Sequence, residues 1–346
     1  MRSNYWDAWK GVAILAVVAI HATGESGKFP AESFNWYFGL VFRQIINFAV
    51  PLFLALAGFF AARGSTSFSL HYYHSRLGHV LPPYLFWTVI FVLLKHPSDF
   101  FSPGALSKDI FLGTGIGIGY FIVVLAQFIF ITPFILKIKK DWQHILIMAA
   151  IFAGSMFITY EIRINQAEST WAQFPMNALP FFVWYPFYHL GIYVAQLNSA
   201  DNDALSYRSR TMFSLFLLFT IAAVIEGVYL AHQGFFSFGA SQIKFSSFMA
   251  SISLFMFAVS YFKKGQVSTN NTYVVWLGKN SYPIYLTHLL FLPLTGSILK
   301  TIPFVYSAQP LFIFINTTLT LAACVILIRF VSFAIPDVVQ KKYLGI

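Results

Sequence analysis

The chain has 346 residues, of which 58% are hydrophobic and 10% charged, with a net charge of +10 at neutral pH. A soluble domain carries about 25% charged residues, so a water-covered globular surface is excluded and an integral membrane protein is expected. Nucleic acid is not an expected partner, because Lys and Arg stand at the ends of apolar segments and form no basic stripe.

Taken in order, the apolar segments predict about ten membrane helices, roughly at 9–24, 37–62, 80–95, 115–136, 143–160, 178–196, 212–232, 244–262, 281–299 and 309–331. Each is near the 17–25 residues needed to cross the hydrocarbon core. Period-two alternation is absent, which argues against a membrane β-barrel. Pro82–Pro83 and Lys95 bound the third segment. The N-terminus is not expected to be a cleaved signal peptide: Asp7 is unusual in a basic leader, and no small-x-small site follows His21. Cys324 is the lone cysteine and lies in an apolar run, so no disulfide can form within the chain.

Alternating the spans places fifteen Lys and Arg on the N-terminal side and six on the other, with Arg43 inside a span. The excess marks the N-terminal side as cytoplasmic, with both termini inside. The longest polar stretches, around 24–35, 95–114 and 197–211, have loop lengths. The expectation is an all-α integral membrane protein, one bundle spanning 1–346, with no appended soluble domain.

Titratable side chains inside spans are costly and mark candidate sites. They are His21, Arg43, His189, Glu226, His288 and Arg329. His21, Arg43 and Glu226 fall toward the outer half; His189, His288 and Arg329 fall toward the inner half with Lys10 and Arg76. Each has a plainer reading beside the functional one. His21 can reach the outer interface, Arg43 and Glu226 can form a structural ion pair, and Arg329 can snorkel. Neighbouring hydroxyls can satisfy His189 and His288, and Lys10 can serve as a topology anchor. Lys10 and His21 stand eleven residues apart, about 16 Å along a helix. That layout suits a long, acidic cytosolic donor whose head rests near Lys10 and Arg76 while its arm reaches His21. Coenzyme A thioesters have this shape.

The stretch "WDAWKGVAILAVVAIH" (Trp6 to His21) resembles the basic-residue-x10-His signature of the membrane-bound acyltransferase 3 family, in the branch of fucose O-acetylases. "FAVPLFLALAGFF" (Phe48 to Phe60) resembles that family's second span, and "SRLGHVLPPYLFW" (Ser75 to Trp87) the approach to its third. "LGKNSYPIYLTHLLF" (Leu277 to Phe291) resembles a late Ser-x-x-x-Tyr-x-x-His segment. The chain has Lys10 where many members have Arg, and His79 where a second arginine often follows Arg76.

The resemblance implies an O-acetyltransferase using acetyl-CoA as donor. The acceptor it implies is a carbohydrate, as a surface polysaccharide or lipid-linked glycan precursor, in the bacterial inner (plasma) membrane among its lipids. It implies that His21 is catalytic, as general base or acetyl carrier, and that Lys10 serves the donor. On estimated depth, Arg43 and Glu226 join His21, while Arg76 and His288 join Lys10 on the donor side. No metal is expected. A multi-span transporter or flippase of a polysaccharide precursor is the alternative, although no repeated halves are visible.

Overall fold

The computed structural model describes residues 4–63, 69–197, 208–263 and 272–346. Among them every regular element is helical and there is no strand. Arg2 and Lys264, and most of the polar stretch at 197–211, lie outside the described residues. The longer helices are α1 (Asn4–Ala22), α2 (Phe34–Ile46), α3 (Ala49–Ala61), α4 (Leu70–Lys95), α5 (Tyr120–Ile135) and α6 (Asp141–Tyr160). They continue as α7 (Phe181–Gln196), α8 (Ser209–His232), α9 (Phe245–Lys263), α10 (Thr272–Lys279), α11 (Ser281–Lys300) and α12 (Gln309–Ala334).

All ten expected spans fall on helices. Among the described residues, seven segments are long and apolar enough to cross a membrane: Phe34–Ala61, Leu70–Lys95, Asp141–Asn165, Ser209–His232, Phe245–Phe262, Ser281–Lys300 and Gln309–Ala334. The other three expected spans correspond to α1, which carries Asp7 and Lys10, and to α5 and α7, each of 16 residues. The protein is an all-α integral membrane protein.

Two segments depart from the expected spans for reasons that lie in proline chemistry. The second is broken into α2 and α3 at Asn47–Phe48. Pro51 stands four residues after Asn47; it lacks an N–H for the Asn47 carbonyl, and its ring crowds that carbonyl. The third begins ten residues earlier than expected, and α4 runs through Pro82–Pro83. A membrane helix can keep such a pair where neighbours serve the local backbone. The carbonyls left without an i+4 donor are those of Gly78 and His79, both exposed residues, and the Tyr282 hydroxyl donates to the neighbouring Val80 carbonyl at 2.5 Å.

The chain divides into two compact units. Unit 1 comprises Met1–Leu56, Gln196–Ser281 and Phe291–Ala322. In it α1 crosses α10 with almost no separation. A Cβ placed on Gly11 would stand 2.0 Å from the Val274 carbonyl oxygen, and one on Gly278 would stand 1.6 Å from that of Asp7. Only glycine at both positions lets the backbones approach so closely, as small residues do at membrane helix interfaces. Two of the quoted stretches, the one ending at His21 and the one beginning at Leu277, therefore meet at this crossing. At the other end of unit 1, Glu25 bonds Lys28 (2.9 Å) and Lys300 (3.0 Å), and Ser26 donates to Gln309 (3.0 Å). The loops after α1 and after α11 thus share one end, and the start of α1 shares the opposite end with α10.

Unit 2 comprises Ala57–Ala195, Tyr282–Leu290 and Ala323–Ile346. Tyrosines and a tryptophan tie its elements by donating to backbone carbonyls: Tyr84 to Ile110 (2.6 Å), Tyr285 to Ile118, and Trp87 to Leu344 (3.3 Å). Phe128 and Tyr188 stack at 4.3 Å between α5 and α7, and Tyr188 shares a 2.6 Å hydrogen bond with Thr132.

The α1–α10 crossing is testable. Gly278→Ala forces a methyl group into the Asp7 backbone and is expected to cost at least the roughly 1–3 kcal/mol of an overpacked core site. A thermal-shift measurement in detergent should show a lower Tm, whereas Gly154→Ala, where no atom lies within 4 Å of the added carbon, should not.

Candidate active site

The spacing of Lys10 and His21 decides what α1 presents. Eleven residues at 100° each come to about three turns, so the two side chains share one face. Asp7, Ile14 and Val17 lie on the same stripe, at 0%, 0% and 3% exposure, while Val12 and Leu15 on the other side are each 39% exposed. The Lys10–His21 stripe is therefore the protein-facing side of α1. A groove of about 520 Å³ involves the opposite side of this helix, through Leu15 and Ala19, against Phe38, Phe42 and Phe314. Its apolar lining suits lipid; the imidazole faces elsewhere.

Lys10 Nζ lies 3.1 Å from Asp7 Oδ1, one turn earlier, and the Asp7 side chain is 1% exposed. The cation is thus held by a buried carboxylate within its own helix. His21 is half-buried in the last turn of α1, where the chain passes into a 3-10 turn at Thr23–Lys28. The hydrogen bond from Ser26 to Gln309 anchors that turn and with it the end of the helix carrying the imidazole.

A polar network surrounds the break in the second span. Lys244, the first residue of the expected span 244–262, is fully buried. Its ammonium donates to Gln44 Oε1 (2.7 Å), the Ala223 carbonyl (3.1 Å) and Ser247 Oγ (2.5 Å). Gln44 donates in turn to the Leu40 and Gly239 carbonyls at 3.0 and 3.1 Å. Glu226 Oε2 accepts from the backbone N–H of Ser246 (3.1 Å) and from the Ser246 hydroxyl. A carboxylate of α8 thereby caps the first turn of α9, where orphan N–H groups and the helix dipole both favour an anion. Residues 240–244 are irregular yet largely buried. Their polar backbone is served by Gln44 and Asn47.

The other expected site residues are placed as follows. Arg43 is half-buried on α2, one residue before Gln44. Arg76 is exposed in the first half of α4, with its guanidinium 6.0 Å from the Tyr72 ring. His288 is fully buried on α11, with Nδ1 at 3.2 and 2.9 Å from the Ile284 and Tyr285 carbonyls. Carbonyls only accept, so Nδ1 carries the proton and Nε2 presents the lone pair. His189 is buried against His144, Nε2 to Nδ1 at 2.7 Å. Arg329 is exposed near the end of α12. Lys10, His21, Arg43 and Glu226 belong to unit 1; Arg76 and His288 belong to unit 2.

Sequence reasoning gave Lys244 no role and passed over Gln44, Asn47 and His144. Pro51 was the available signal for Asn47, since a proline inside a span frees the carbonyl four residues earlier.

An all-helical membrane protein with a cation and an imidazole on one interior helix face fits the class of membrane-bound transferases acting on acyl groups. The family model described as an acyltransferase domain matches residues 3–329. The chain belongs to the acyltransferase 3 family and is an acyltransferase. No curated protein and no solved structure matches it.

The Lys10–Asp7 pair makes a separable prediction. Lys10→Met removes the cation that bonds the buried Asp7 carboxylate and should destabilise the protein by about 3 kcal/mol. Asp7→Asn combined with Lys10→Met should recover most of that loss in a detergent thermal melt, because neither charge is then stranded.

Proposed function

We propose that this chain is a membrane-bound O-acyltransferase that moves an acetyl group from acetyl-CoA to a hydroxyl of a carbohydrate, in a surface polysaccharide or a glycolipid precursor. The observation that carries this reading is the shared interior face of Lys10 and His21 in a chain of the acyltransferase 3 family. A charge for the donor's acidic end and a base for the acceptor's hydroxyl then lie about 16 Å apart on one helix. The proposed topology has ten spans in a single membrane domain, with both termini cytoplasmic, in the bacterial inner membrane.

In the proposed reaction neutral His21 takes the proton from the acceptor hydroxyl as its oxygen attacks the thioester carbonyl. The new C–O bond forms, the C–S bond breaks, and the thiolate leaves with the proton returned by the imidazolium. Arg43 is assigned to the developing oxyanion and Glu226 to orientation of the site. Lys10, Arg76 and His288 are assigned to the donor. A covalent route is a variant of the same chemistry: His21 receives the acetyl group, releases the thiol, and passes the acetyl to the hydroxyl.

His21→Ala is expected to abolish acetyl transfer while leaving expression and membrane insertion intact, measured as acceptor-dependent thiol release. Activity above a few per cent of wild type would remove His21 as the base. In the Asp7→Asn/Lys10→Met background, the apparent KM for acetyl-CoA should rise about tenfold, equivalent to about 1.4 kcal/mol. An unchanged donor KM would make Lys10 an anchor only. Labelled acetyl retained on protein quenched after incubation with donor alone would select the covalent route.

A further inference from the structure

The groove beside α1 is apolar along its length and meets charge at one end. Its walls are Leu15 and Ala19 of α1, Phe38 and Phe42 of α2, and a stripe of α12 from Pro310 to Leu321. All of these belong to unit 1. At about 520 Å³ it has the size of a small-molecule site, and none of its lining residues is charged. From Pro310 to Leu321 it follows α12 for about 16 Å, close to the roughly 15 Å of hydrocarbon in one leaflet. Phe38 and Phe42 stack at 5.6 Å along the α2 wall.

The three walls converge on the Thr23–Lys28 turn. Ala19 stands just before it on α1. Gly39, next to Phe38, packs on Ser26, where an added Cβ would stand 2.2 Å from that of the serine. Gln309, next to Pro310, accepts the 3.0 Å hydrogen bond from Ser26. In the same turn Glu25 is shared by two ammoniums, Lys28 at 2.9 Å and Lys300 at 3.0 Å. Two cations on one carboxylate leave positive charge in excess at the mouth of the groove. Glu32, the next carboxylate in the chain, faces His232 at 3.3 Å on the α8 side. The Lys28 and Lys300 side chains are 63% and 39% exposed, so an anion can reach both. Ala19 and His21 are 200° apart around α1. A ligand with its tail in the groove therefore reaches the imidazole only by passing its head over the end of α1, beside the two lysines.

We propose that the groove and the Lys28–Lys300 pair bind the lipid part of a lipid-linked acceptor, a single-chain prenyl phosphate. Its chain lies against Phe38, Phe42 and Phe314, its phosphate rests on the two ammoniums, and the sugar it carries is presented at the His21 end of α1. The inference rests on the proposed sugar acetylation and selects the lipid-linked precursor as its acceptor. One narrow groove suits one chain better than the two tails of a phospholipid, and the charged mouth suits a phosphate better than a neutral head.

The test titrates full-length protein in detergent with decaprenyl phosphate, read by native mass spectrometry, with phosphatidylglycerol as competitor. Wild type should bind one decaprenyl phosphate and keep it at an equal concentration of phosphatidylglycerol. Lys28→Gln leaves Glu25 paired with Lys300 and removes the excess charge; it should weaken binding about five- to tenfold, the worth of one charge-assisted hydrogen bond. Lys28→Arg keeps the charge and should bind as wild type does. Leu15→Trp fills the groove from a position 39% exposed and should weaken binding by a similar factor with an unchanged detergent melt. Equal displacement by phosphatidylglycerol would make this an ordinary phospholipid site and overturn the proposal. So would wild-type affinity in both Lys28→Gln and Leu15→Trp, or no binding at all. Thiol release from acetyl-CoA separates the two readings. If decaprenyl phosphate binds as expected but no glycosyl decaprenyl phosphate supports thiol release, the lipid site stands and sugar acetylation fails. If a water-soluble glycoside is acetylated alike by wild type and both variants while decaprenyl phosphate does not bind, the acetylation stands and the lipid site is overturned.

Discussion

A polar group inside hydrocarbon keeps only the partners its own protein supplies, and the buried ammonium of Lys244 shows what that demands. Three acceptors surround it, from α2, α8 and the start of α9. Each is fixed by something further away: Gln44 by carbonyls on both sides, and the α9 terminus by Glu226. Moving any one strands a charge at a cost of several kcal/mol. The helix break, the buried loop and the carboxylate cap are consequently parts of one arrangement.

The same rule orders α1. Asp7 and Lys10 neutralise each other one turn apart, on the stripe that ends at His21. The opposing side of the helix carries Val12 and Leu15, each 39% exposed. Glycines at positions 11 and 278 then let α10 press onto the first turns of α1, so the charged end is seated by backbone contact as well as by the packing of Tyr5 and Trp6 on Phe262. The cation therefore sits where the helix is most closely packed. The helix is anchored again just beyond the imidazole by Ser26 and Gln309. A fixed separation between the two groups is useful to a transferase, because reaction rates depend steeply on the positions of reacting atoms.

Asn47 and Pro51 connect fold to chemistry most directly. In an unbroken helix the Asn47 amide would be one more polar side chain to hide. At a break its nitrogen can reach two carbonyls of a neighbouring loop, and its oxygen is left pointing away. The proline that belongs to a resemblance motif thus has a physical consequence four residues upstream.

Much of this protein was settled by residue order alone. Hydropathy over 18–25 residues reports the free energy of leaving water, so helices and their positions could be read without tertiary information. Periodicity placed Lys10 and His21 on one face, because 3.6 residues per turn is a local property. The extension of α4 through Pro82–Pro83 and the break before Pro51 were less legible, since proline's effect depends on whether neighbours serve the freed carbonyl. Tertiary structure alone decided that Lys244 is buried, that Glu226 caps α9, and that Asn47 serves the Ala240 and Ser241 carbonyls. Burial and hydrogen-bond geometry depend on segments from 20 to 200 residues apart, and no local pattern encodes which of many exposed-looking polar side chains will be enclosed.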